Sequence, residues 1–99
     1  MSRREYLVLK LVVNGIRIRK VIIDDHVNKH SDHIDDALIL KIVVVLDGQD
    51  FKPVSCNESY QYFVTQISFE QKWFKLVWLL EIKTQNIGVI TLFRDRRIK

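Results

Sequence analysis

Asn14-Gly15 sits between two runs rich in Val, Ile and Leu, Tyr6 to Val13 and Ile16 to Ile23. This dipeptide suits the positive backbone angles of a two-residue turn, so the first quarter of the chain is predicted to be a β-hairpin. In its second strand, Ile16-Arg17-Ile18-Arg19 alternates apolar with basic. That period of two places Ile16 and Ile18 on one face and Arg17 and Arg19 on the other, toward solvent or a ligand.

Beyond the hairpin, Asp24-Asp25 is suited to cap a short helix running to about Ser31, because an aspartate accepts from the orphan amides of a first turn. Asp35 is a second cap, opening a segment from Asp36 to Leu46 in which Leu38, Ile42 and Val45 recur at helical spacing. Val43-Val44-Val45 is β-branched and suits a strand equally well. Asp47-Gly48 ends the segment either way. Gln49 to Glu58, containing Pro53, reads as a loop. Three strands are then predicted, Tyr60 to Phe69, Trp73 to Ile82 and Ile87 to Phe93, joined by links short enough for hairpins. Trp73 to Leu80 is apolar on both faces, as expected of a central strand. The reading is a single α+β domain over residues 1–99, with an antiparallel β-sheet (N-terminal hairpin plus three-stranded C-terminal meander) packed against one or two helices.

At 99 residues there is room for one hydrophobic core, and 47% hydrophobic content with 3 Gly and 1 Pro is too apolar for a disordered chain. Cys56 is the sole cysteine, which excludes an intrachain disulfide and points to a reducing compartment. No apolar run reaches the ~18 residues of a membrane span. Lys10 interrupts the apolar N-terminal run and no small-residue cleavage site follows, so a signal peptide is not expected. A cytoplasmic location and no membrane contact are therefore predicted. The net charge is +4, but it is segregated. Asp24 to Asp50 holds seven acidic side chains against two basic ones, and the rest holds fourteen basic against five acidic. Such asymmetry favours an oriented encounter with a polyanion.

At about 100° per residue, His26, Lys29, His30 and His33 fall on one narrow helical face. Imidazole titrates near neutral pH and is suited to proton transfer. A metal site of His26, His30 and His33 is a weaker alternative, lacking the Glu that accompanies zinc-protease histidines. No cofactor is expected, because Gly15, Gly48 and Gly88 are too scattered for a phosphate-cradling loop. Arg94-Asp95-Arg96-Arg97-Ile98-Lys99 follows an apolar strand, and arginine binds phosphate bidentately. With Arg3, Arg4, Arg17, Arg19 and Lys20, this run, Arg96 and Arg97 included, is expected to form an RNA-binding stripe. Tyr60 and Tyr62, two apart on one strand, offer stacking surface for a base.

The order of hairpin, helices and meander resembles the RelE/ParE superfamily of small toxins. The carrying residues are Asp25-His26, Lys29-His30-Ser31, Ile34-Asp35-Asp36, Leu46-Asp47-Gly48, Tyr62-Phe63, Phe74-Lys75-Leu76-Val77-Trp78, Ile87-Gly88-Val89-Ile90 and Phe93-Arg94. The resemblance implies a metal-independent mRNA endoribonuclease of a toxin-antitoxin system, acting on RNA, on or off the ribosome, and neutralised by a small acidic antitoxin protein. It implies His30 as proton shuttle, Lys29 and Arg94 as stabilisers of phosphorane charge, and Tyr62 as the residue that places a base. The well-characterised toxins are more uniformly basic than this chain, whose helical segment is acidic. The alternative is a non-enzymatic toxin-like or RNA/protein-interaction module of the same fold.

Overall fold

The structure is a computed structural model and describes residues 3–24 and 34–95. Its elements in chain order are β1 (Arg3–Val13), β2 (Ile16–Asp24), α1 (Asp36–Val44), β3 (Ser55–Cys56), β4 (Tyr60–Phe69), β5 (Lys72–Glu81) and β6 (Asn86–Arg94). The strands form one six-stranded sheet in the order β1-β2-β6-β5-β4-β3.

The hairpin turns where Asn14-Gly15 allows it, with φ of 53° and 74° at those two residues. Asn14 also ties a distant segment to this turn: its side chain accepts from the Phe51 N–H at 2.6 Å and donates to the Phe51 carbonyl at 3.1 Å. The β4–β5 turn is built without glycine, at Glu70 and Gln71 with φ of 51° and 66°. β4, β5 and β6 are the meander anticipated from their spacing, and β5 is its central strand.

The expected fold class is corrected in two respects. An α+β body of RelE type, with an antiparallel sheet packed against one or two helices, does not form. The six strands are accompanied, among the described residues, by one nine-residue helix. The sheet is mixed, because β2 pairs with β6 in parallel, from Lys20↔Asn86 to Ile23↔Val89. The hairpin and the meander are thus one sheet. The physical reason is that β2, apolar on both sides at Val21, Ile22 and Ile23, needs a strand partner on its second edge, and the apolar start of β6 supplies one. Asp24, read as a helix cap, is the last residue of β2, and the expected helix from Asp25 to Ser31 lies outside the described residues.

The helix is the second of the two predicted, two residues shorter than its pattern suggested. Asp35 caps it, its carboxylate accepting from the Leu38 N–H at 2.9 Å. Asp36, in the first turn, accepts from Arg4 Nε at 2.6 Å and from the Tyr6 hydroxyl, which pins the helix start to β1. Ile39, Ile42 and Val43 are fully buried against one face of the sheet, in a cluster with Val21, Ile23, Phe63, Leu76, Trp78, Leu80, Ile87 and Val89. Trp78 is its centre. The indole stacks on Phe63 at 4.0 Å, meets Phe51 edge-on at 5.6 Å, and donates to Thr65 Oγ1 at 3.0 Å. The other face carries Tyr62, Val64, Val77, Leu79, Ile90 and Phe93, of which Val64, Ile90 and Phe93 are exposed. Among the described residues, α1 and the segment that carries Phe51 pack on the inner face, and no described element packs on the outer one.

Two substitutions separate core from cap. Trp78→Ala is expected to cost about 3–5 kcal/mol, since it empties the centre of the cluster. Asp35→Ala is expected to cost about 1 kcal/mol, since it removes one capping bond. Denaturant unfolding of both variants measures the difference.

Candidate functional site

The registers define which side chains meet on the outer face. One cross-strand row runs Tyr60, Glu81, Asn86, Lys20 and Leu7; the next runs Tyr62, Leu79, Gly88, Ile22 and Glu5. Gly88 leaves a gap in the second row. A pocket of about 200 Å³ lies there, lined among others by Arg3, Asp24, Tyr60, Tyr62, Leu79 and Glu81. A Cβ at residue 88 would come within 3.1 Å of the Leu79 side chain, so glycine is what lets Leu79 lie flat as the floor.

Tyr60 and Tyr62 stand side by side at the pocket rim, their ring centroids 6.3 Å apart and their planes at 41°. Glu81 fixes the first of them. The hydrogen bond between Tyr60 and Glu81, and then the carboxylate charge, raise the Tyr60 pKa above its usual value. The Glu81 pKa is lowered, first by the Thr84 hydroxyl and then by Tyr60. Asn86 Nδ2 also donates to Glu81 at 3.5 Å. An ionised carboxylate with three donors around it holds one geometry better than a solvated one.

The basic residues gather at the turn end of the same face. Arg17 is exposed, its carbonyl accepting from Gln85 Nε2 at 3.0 Å, and the Arg19 N–H donates to the Gln85 carbonyl at 2.8 Å. Lys20 pairs with Glu5 at 3.3 Å. Lys83 is exposed in the β5–β6 turn, whose Gln85 makes the contacts to Arg17 and Arg19, and was not anticipated from the sequence. Ile18 and Val21 are both buried although three residues apart, so the alternation of β2 slips once between them. Arg17 and Arg19, on either side of buried Ile18, are both exposed, and the slip turns Lys20 outward as well.

The other predicted residues are not assembled here. Lys29 and His30, with His26 and His33 of the metal alternative, lie outside the described residues, as do Arg96 and Arg97. Among the described residues no group of three or more His, Cys, Asp or Glu is placed to hold a metal ion. Arg94 and Tyr62 are described and are not brought together. Arg94 pairs with Phe74, whose side chain is buried on the inner face, while Tyr62 pairs with Leu79 on the outer one. The five-residue offset along β5 adds roughly 16 Å between them. Among the described residues no helix is long and apolar enough to cross a membrane. Scans against protein-family models, curated proteins and solved structures each found no match.

The Tyr60–Glu81 contact has a testable pH window. A raised phenol pKa means the contact stabilises the fold below the ordinary tyrosine range and is lost as pH rises through the raised value. A lowered carboxyl pKa means the same contact is intact above the ordinary glutamate range and is lost as pH falls through the lowered value. In Glu81→Ala, the Tyr60 titration followed by NMR should move down toward an ordinary phenol.

Proposed function

We infer that the outer sheet face binds single-stranded RNA, with bases over the Gly88 pocket and the two tyrosines and the phosphate backbone passing the basic turn end. The observation that carries this reading is the pairing of Tyr60 and Tyr62 beside that pocket, on a sheet surface that no described element covers. Aromatic rings on an open sheet give bases a stacking surface at little conformational cost, about 1–3 kcal/mol per base. Arg17, Arg19, Lys20 and Lys83 supply positive charge at the edge of that surface. The pocket itself carries Arg3 against Asp24 and Glu81, so phosphate is better placed at the turn end than inside it.

The resemblance to RelE/ParE toxins adds messenger RNA as the substrate class and a small acidic protein as the partner that covers the basic residues. Cleavage would need Lys29 and His30 at the scissile phosphate, together with Arg94 and Tyr62. With those last two on opposite faces, binding is the reading the arrangement favours over chemistry.

RNA titrations at several salt concentrations test it. Affinity should fall with a log-log slope of up to ~0.7 per phosphate contacted. The double variant Arg17→Glu/Lys20→Glu should bind at least tenfold more weakly. No binding, or binding indifferent to salt, removes the RNA reading. RNA recovered with 2′,3′-cyclic phosphate ends restores the ribonuclease in its place.

A further inference from the structure

The pocket over Gly88 is flat-floored and unevenly charged, and these two properties restrict what can occupy it. Its floor is Leu79 and the bare backbone of Gly88, an apolar surface without a protruding side chain. A planar ring fits such a floor. Among the described residues its charged lining is one guanidinium, Arg3, and two carboxylates, Asp24 and Glu81. A pocket with net negative charge repels phosphate and favours a ring edge that presents N–H donors.

Glu81 stands at the end of the pocket nearest the turn, cross-strand from both Tyr60 and Asn86. The Thr84 hydroxyl and Asn86 Nδ2 both donate to its Oε1 atom, which fixes the plane of the carboxylate. A carboxylate has about four acceptor positions, so these contacts do not exhaust it. The Asn86 contact, at 3.5 Å, is long enough to be exchanged for a ligand N–H.

The four bases differ in what they offer such an acceptor. Guanine alone has two adjacent donors on its Watson–Crick edge, N1–H and the N2 amine. Adenine places the N1 lone pair beside its amine, and cytosine the N3 lone pair, each of which faces the carboxylate unfavourably. Uracil has one N–H flanked by two carbonyl oxygens. On the next edge of guanine, O6 and N7 are acceptors that suit an arginine. Arg3 is the guanidinium that lines the pocket, on β1 opposite Asp24.

We propose that this pocket takes one unpaired guanine of an RNA strand, its face on Leu79 and Gly88, its Watson–Crick edge donating to Glu81 and its O6 and N7 turned to Arg3. This rests on the reading of the sheet face as an RNA-binding surface. Glu81 is then the residue that sets base preference, and Tyr60 and Tyr62 close the rim.

The test uses the full chain and fluorescein-labelled RNA octamers of oligo-adenosine, one unsubstituted and the others with a single central G, C, U or inosine, with binding read by anisotropy. The central guanine should tighten binding about tenfold over the other three bases. Inosine, which lacks the N2 amine, should lose most of that gain. Glu81→Gln should bring the G, A, C and U octamers within about twofold of one another. Tyr60→Phe, which keeps the ring, should retain the guanine preference. Amide shifts at Gly88 on adding RNA place the base. RNA bound with a salt dependence but without preference for guanine overturns the guanine proposal and leaves the RNA reading standing, and a preference that survives Glu81→Gln overturns it equally. Failure of all the octamers to bind overturns both.

Discussion

The parallel pairing of β2 with β6 is the constraint on which the rest of the molecule depends. Four residue pairs, Lys20↔Asn86 to Ile23↔Val89, are what make a hairpin and a meander into one sheet. Parallel neighbours cannot be joined by a tight turn, so the chain between them must travel, and here it passes α1, β3, β4 and β5 on the way. Because α1 packs on one side of the sheet, the core has one side. Val21 and Ile23 meet it from β2, Ile87 and Val89 from β6, and Trp78 from β5.

The same pairing builds the pocket. Gly88 lies between Leu79 on one side and Ile22 on the other only because β6 is flanked by β5 and β2. If the hairpin stood apart, Gly88 would be on an edge strand and Arg3 and Asp24 would not reach its surroundings. The polar rim is organised locally instead, through Glu81 and its contacts with Thr84, Asn86 and Tyr60. Shape thus comes from a long-range pairing and charge from a short turn. The two can be perturbed separately.

Much of the strand inventory was legible because it rests on local chemistry. Asn14-Gly15 marks its own turn, and the two-sided apolar run from Trp73 to Leu80 identifies β5 as a central strand. Asp35 declares the helix start, since capping needs only a carboxylate three residues before the amide it serves. The partner of β2 was not legible. Its Val-Ile-Ile run fits any apolar edge, and nothing within it selects β6. For the same reason the Gly88 pocket was missed, because a gap in a cross-strand row is a property of register. Tyr60 and Tyr62 could be placed together from their spacing of two. Arg94 and Tyr62 could not be separated that way, since only the pairing along β5 reveals that they belong to opposite faces. In the basic stripe, Arg17 and Arg19 were legible from their alternation, whereas the slip between Ile18 and Val21 and the exposed Lys83 of the β5–β6 turn were not.

Every pair in the β2–β6 ladder joins residues sixty-six positions apart in the chain. On a ribosome adding about 5–20 residues per second, β2 therefore leaves the tunnel several seconds ahead of the strand that will cover its edge. In that interval the hairpin offers the nascent chain's surroundings an open edge on β2 as well as one on β1, where Leu7 and Leu9 remain 79% and 81% exposed even in the finished fold. Closing a loop of that length before any contact rewards it also slows folding. The chain is thus most vulnerable to strand-to-strand association during its own synthesis, and yield of the folded protein should be limited less by its final stability than by how long β2 has to wait.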